Sequence, residues 1–179
     1  PLTSSLVVNH RASLLGLEDI QSSNFPPMRL ALYDEVIKAL NGKPQDYHGA
    51  ALLSWEALQS PLVDLLNVRY IVVPHLDSKG SPPPEPAFAG YTEVWSDDEV
   101  RILENQNALP RAWFVTDVQQ ADSNAILARL ADGSIDPRQT ALIDGTLPGG
   151  IASNGTPAGE VVSIERESPE RLRVTTVTS

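Results

Sequence analysis

Apolar residues recur every four positions at Met28, Leu32, Val36 and Leu40, with Tyr33 and Ile37 widening the stripe. That period puts one apolar face on an α-helix over residues 28–40. Pro26-Pro27 before it and Gly42 after it are the expected punctuation. Ser60-Pro61 marks a second helix start, an N-cap hydroxyl followed by proline in the first turn. Leu62, Leu65 and Leu66 share one face there, and Asn67 is the stop. Residues 68–73 are then nearly all β-branched or aromatic, interrupted only by Arg69, which predicts a strand buried on both faces at the centre of a sheet. On that reading Val68, Tyr70 and Val72 line one face, and Ile71 and Val73 the other.

Further along, residues 77–90 contain Pro82-Pro83-Pro84 and Pro86, which cannot donate ladder hydrogen bonds, so an exposed, mobile loop is expected. Residues 92–95 and 100–104 flank the acidic turn Ser96-Asp97-Asp98-Glu99 as a hairpin. Residues 112–118 predict another strand, 123–130 a short helix closed by Gly133, and 140–143 a strand after Asp136-Pro137-Arg138. The Gly-, Pro- and Ser-rich residues 145–159 read as a flexible linker. A last hairpin, 160–167 with 171–178, turns at Ser168-Pro169-Glu170. Leu6-Val7-Val8 is one more short strand candidate. The class implied is α+β: a mixed β-sheet with packed helices and a β-hairpin at the C-terminus, in a single domain over 1–179.

With 179 residues the chain can bury roughly two thirds of its unfolded surface. Cysteine is absent, which removes disulfides, thiolate nucleophiles and Cys-ligated zinc, and leaves the compartment open. The net charge of −10, with basic residues scattered singly, argues against nucleic acid and against anionic lipid surfaces. No apolar run reaches the ~18 residues of a membrane span. The opening Pro1-Leu2-Thr3-Ser4-Ser5 and the β-rich close both read as cuts through a longer polypeptide.

Catalytic patterns are missing. His10, His48 and His75 have no metal-ligand spacing, so ordinary loop histidines are expected and no metal is assigned. Asp97-Asp98-Glu99 invites a divalent cation, but adjacent carboxylates on a hairpin tip diverge, and a solvated turn explains them. Gly145-Thr146-Leu147-Pro148-Gly149-Gly150 has the composition of a phosphate loop without the following helix or lysine. No nucleophile elbow surrounds any serine. Separated carboxylates such as Glu18-Asp19 or Asp34-Glu35 leave glycosidic chemistry open, since their spacing is set by the fold. Among Trp55, Trp95, Trp113, Tyr47, Tyr70 and Tyr91, a sugar-stacking ring competes with the needs of the core.

Two segments carry a likeness: Leu65-Leu66-Asn67-Val68-Arg69-Tyr70-Ile71-Val72-Val73, and the stretch from Val100-Arg101-Ile102-Leu103-Glu104-Asn105 to Pro110-Arg111-Ala112-Trp113-Phe114-Val115. In this order they resemble the extracytoplasmic region of YfhO-type bacterial membrane proteins, polytopic proteins regarded as glycosyltransferases. Asn9 to Ser22 and Asp136-Pro137-Arg138 are similar too, although Gln21-Ser22 stands where that family commonly has a glycine. The resemblance implies a parent that transfers a sugar from a lipid-phosphate donor to cell-envelope acceptors outside the cytoplasmic membrane. The family's catalytic carboxylate belongs to an early loop with no match here, so no catalytic or cofactor residue carries over.

The expectation is therefore a non-catalytic, extracytoplasmic accessory domain, tethered by membrane spans of its parent, whose partners are the rest of that protein and a cell-envelope glycan. The rivals are a glycan- or protein-binding module without an enzymatic parent, and a free-standing hydrolase. Arg111 and Trp113 are the candidate glycan-binding pair, a cationic fork beside an aromatic face on one side of the 112–118 strand. The alternative for them is a buried Trp113 and a salt-bridged Arg111.

Overall fold

In a computed structural model the structure describes residues 18, 20, 31–42, 53–76, 80–146, 159–168 and 171–178. The strand expected at Leu6-Val7-Val8, most of the stretch from Asn9 to Ser22, the helix start at residues 28–30, His10, His48 and linker residues 147–158 lie outside them. The fold is α+β, and the chain forms two compact units, Pro1–Ala108 and Leu109–Ser179.

In the first unit, helix α1 spans Ala31–Asn41 and ends at Gly42, whose φ of +66° suits glycine. Its buried face is centred on Ile37 and Leu40, and Leu32 is 70% exposed, so the stripe lies to one side of the expected one. A hydrogen bond from the Tyr33 hydroxyl to the carbonyl of Ile20, 2.9 Å, helps fix that rotation. Residues Glu56–Gln59 form one 3-10 turn before helix α2, Pro61–Leu65. Ser60 caps α2 as expected, its hydroxyl accepting from the Leu62 N–H at 3.3 Å. Asn67 ends it with a φ of +57°, a left-handed conformation that asparagine tolerates.

Strands β1 (Tyr70–Pro74), β2 (Tyr91–Ser96) and β3 (Val100–Asn105) form an antiparallel sheet in the order β1-β3-β2. The expected central strand is therefore misplaced: β3 is central, and β1 lies at one side. Tyr70 is 53% and Val72 43% exposed, while Val73 is buried on the opposite face. β-branched residues specify extended backbone without specifying burial on both faces. β3 pairs with its hairpin partner β2 on one side and with β1 on the other, which leaves β1 with a single neighbour.

The core beneath the sheet gathers Leu58, Val73, Ala87, Phe88 and Leu103, with Trp55, Ile71 and Tyr91 packed against it. Ala87 and Phe88 come from the proline-rich stretch expected to be an exposed loop, which corrects that reading for its second half. Glu85–Phe88 is a 3-10 turn, and Pro83 is buried as well. Gln59 holds the turn in place by donating from Nε2 to the carbonyls of Ala87 (2.7 Å) and Ala89 (3.1 Å). Proline removes donors, yet its ring is apolar, and a turn without ladder bonds can still supply core.

The second unit begins with irregular backbone. Strand β4 covers Asp117–Gln120, so the strand expected at 112–118 starts five residues late. Helix α3, Ser123–Ala131, follows an Asp122 cap that accepts from the N–H groups of Asn124 and Ala125, and Gly133 closes it at φ +71°. Strand β5, Thr140–Ile143, pairs parallel with β4, making a small βαβ unit. Arg129 on α3 donates to the Gln119 side chain at 2.7 Å, tying helix to strand. Strands β6 (Gly159–Ser168) and β7 (Arg171–Thr178) form the expected hairpin, with register shifts between Val161 and Ser163 and between Arg166 and Ser168.

Candidate functional site

Arg111 and Trp113 lie on the irregular segment before β4, so their two-residue spacing does not place them on one side of a strand. The indole N–H of Trp113 donates to the carbonyl of Pro137 at 2.8 Å, and the ring is half-buried, which gives Trp113 a structural task in holding the turn before β5. Arg111 is exposed. The strand on which the pair was expected to share a side begins only at Asp117.

His75 sits at the end of β1, its Nε2 2.8 Å from the carbonyl oxygen of Asp97 and 3.4 Å from the Ser96 hydroxyl. Asp97 turns its carboxylate inward to the hairpin, accepting from the N–H groups of Glu99 and Val100 at 2.8 Å each. Those two bonds are the main cause of holding the Asp97 carboxyl below its ordinary range. The acidic tip is thus a side-chain-capped turn. Among the described residues, no cluster of three or more His, Asp or Glu is arranged to hold a metal ion.

The more suggestive surface is the outer face of the three-stranded sheet. Register puts Tyr70, Glu104 and Thr92 in one row across it, and Val72, Ile102 and Trp95 in the next. Directly paired residues share a face, so both rows lie opposite the core-facing Val73 and Leu103. Tyr70, Val72 and Trp95 are each about half exposed. A register shift between Glu93 and Trp95 leaves Val94 as an extra residue in β2, and this bulge brings Trp95 opposite Ile102. Without it, alternation from the buried side of Tyr91 would have kept Trp95 on the core face.

Polar groups border the Tyr70 end. The Glu104 carboxylate accepts from the Arg69 Nε at 3.1 Å and from the Tyr70 hydroxyl at 3.2 Å through one oxygen, and from Gln106 at 3.3 Å through the other. The hydrogen bond from Arg69 is the chief cause holding Glu104 below the usual carboxylate range, and Glu104 in turn raises Arg69. The Arg69 guanidinium also lies 5.6 Å from the centre of the Tyr70 ring. Charge at this end is internally matched, and the arrangement offers contact area and hydrogen-bonding groups in place of a nucleophile and base. Sequence reasoning missed the platform because it depends on β1 being lateral and on one bulged residue. The alternation of Tyr70 and Val72 with Ile71 and Val73 is the available signal, but apolar residues on both faces equally fit a strand buried on both sides.

No family model matches the chain, and neither a curated protein nor a solved structure matches it.

Proposed function

We propose that the chain is a non-catalytic accessory domain of a membrane-embedded, YfhO-type glycosyltransferase, standing on the extracytoplasmic side of the bacterial cytoplasmic membrane. The outer face of the β1-β3-β2 sheet is the surface that meets the envelope glycan at the acceptor site, and the remainder of the parent protein is its constant partner. The observation that carries this reading is the half-exposed Tyr70, Val72 and Trp95 on a single sheet face, bordered by a charge-matched Arg69–Glu104 pair. An exposed aromatic and aliphatic face suits contact, and matched charges suit a surface that binds without reacting. The resemblance of residues 65–73 and 100–115 to the family supplies the parent. Among the described residues no helix is long and apolar enough to cross a membrane, so in this reading the tether is the parent's.

Two measurements test it. The coding sequence around the chain is expected to show multiple apolar spans upstream, and the purified chain to turn over no lipid-phosphate sugar donor and no glycoside. A signal peptide with no spans favours a free binding module, and turnover by the purified chain favours a hydrolase or transferase in its own right.

A further inference from the structure

We infer that the outer sheet face takes an uncharged oligosaccharide, with Tyr70 and Trp95 as two separate stacking points and Val72 and Ile102 as the floor between them. This inference rests on the accessory reading above and names its ligand class. Size is the first argument. Three strands by five residues span about 14 by 17 Å, roughly 240 Å². A stable protein partner covers about 800 Å² on each side, more than three times as much. The face is an open sheet surface, unlike the concave pockets that enclose compact small molecules.

Length follows from register. Tyr70 pairs with Glu104 on one side of β3, and Trp95 pairs with Ile102 on the other. Two strand spacings across and two residues along separate the two positions by about 12 Å. One sugar ring cannot touch both, whereas a chain of several can lay successive C–H faces on them. Aromatic rings combine apolar area with polar tips, matching a sugar's alternation of C–H faces and hydroxyls. The Tyr70 hydroxyl, the Glu104 carboxylate and Thr92 in the same row supply acceptors and donors at one end.

Charge decides against a polyanion. The turn beside the platform carries Asp97, Asp98 and Glu99, all exposed, and the chain has a net charge of −10. Arg69, the cation at the platform's edge, is matched by Glu104. An anionic polymer would meet a negative border with no uncompensated cation on these two rows, whereas a neutral chain pays no such repulsion.

The test titrates the full 179-residue chain with uncharged tetrasaccharides of glucose, galactose, N-acetylglucosamine and rhamnose, the corresponding monosaccharides, and poly(glycerol phosphate), by calorimetry and NMR. At least one tetrasaccharide is expected to bind, insensitively to salt, and more tightly than its monosaccharide. Trp95→Ala and Tyr70→Ala are each expected to weaken it roughly tenfold, the scale of one stacking contact, with the melting temperature unchanged. Binding of poly(glycerol phosphate) alone, weakening as salt rises, overturns the inference while leaving a glycan-contacting accessory domain in place. If none of these carbohydrates or polymers binds, both the ligand class and the glycan role of this face fall. Tetrasaccharide binding that survives in both variants places the site elsewhere and also overturns the inference.

Discussion

The side-chain amide of Asn105 donates to the Asp64 carboxylate at 2.8 Å, joining the end of the central strand to the helix forty-one residues earlier. The same amide donates to the Val68 carbonyl at 3.2 Å, and the Asn105 side-chain oxygen accepts from the Asn107 N–H at 2.9 Å. Its backbone N–H donates to the Arg69 carbonyl at 2.8 Å. One buried residue thus fixes the α2–β1 corner and the turn after β3 together. These hydrogen bonds give Asn105 a structural role that needs no ligand. Asn105→Leu is expected to cost about 2–4 kcal/mol, because it strands buried partners at both ends. Equilibrium denaturation measures it; a loss below ~0.5 kcal/mol would show that water replaces the side chain without penalty.

Phe88 meets Trp55 edge-on, with ring centres 5.6 Å apart at 82°, and carries the Arg101 guanidinium 4.9 Å above its own ring. Arg101 is held from the other side by Glu85 at 2.7 Å. Removing the ring empties core and uncovers a cation, so Phe88→Ala is expected to lower stability by about 3–5 kcal/mol. Limited proteolysis is a second check. In the wild type, cleavage within Glu85–Phe88 should be slow, and in the variant this turn should become a preferred site.

What was legible in the chain depended on whether its signal was local. Ser60-Pro61 and Asn67 bracket α2 through capping and a left-handed residue, both written in adjacent side chains. Strand β5, helix α3 and both hairpins likewise lie close to where alternation and turn residues put them. The placement of β1 was not local, because a strand's rank in a sheet depends on which partners arrive on each side. Nor was the role of Phe88, whose neighbouring prolines signal backbone form and whose burial involves Gln59 and Trp55, about thirty residues away. Arg111 and Trp113 illustrate a third case. Their spacing is informative only if the segment is a strand, and the Trp113 bond to Pro137 holds it in another shape. The Tyr70–Trp95 face needed register and a bulge together, and neither is visible in composition.

Acid should act on the hairpin tip. The N–H groups of Val100 and Glu99 stabilise the Asp97 carboxylate, so its folded value lies below its unfolded one. A depressed carboxylate contributes stability above the ordinary aspartate range and loses it as pH falls through the folded value. Asp97→Ala is expected to lower the melting temperature at neutral pH and to flatten its decline on acidification. Thermal melts of both proteins across the acid range measure this. Parallel declines would assign the acid sensitivity to other carboxylates.

Gly159 opens β6 at a point where a side chain has no room. A Cβ there would lie 2.8 Å from the Phe114 ring and 2.9 Å from the Val177 carbonyl oxygen. Phe114 could turn aside, but the carbonyl is part of the β7 backbone. Gly159→Ala is therefore expected to destabilise by about 1–3 kcal/mol, the usual range for overpacking. Phe114→Leu in the same chain should restore only part of the loss. Full restoration would mean that the ring alone sets the limit and that the hairpin backbone yields.

Alkaline pH should act through Tyr91. Its hydroxyl donates to the Leu58 carbonyl at 3.0 Å, across the packed turn Glu56–Gln59. Burial pushes this phenol up to about 12 from an ordinary value of 10.0, with the Asp64 carboxylate adding to the shift. The folded state therefore holds its proton after the unfolded state has released it. The stabilisation that follows is complete below pH 10, and it is lost as pH rises through about 12. Denaturation midpoints are expected to decline across that window in the wild type. Tyr91→Phe lacks the titrating group, so it should start lower for want of the hydrogen bond and decline less over the same window. A variant that falls as steeply as the wild type would trace the alkaline loss to other groups.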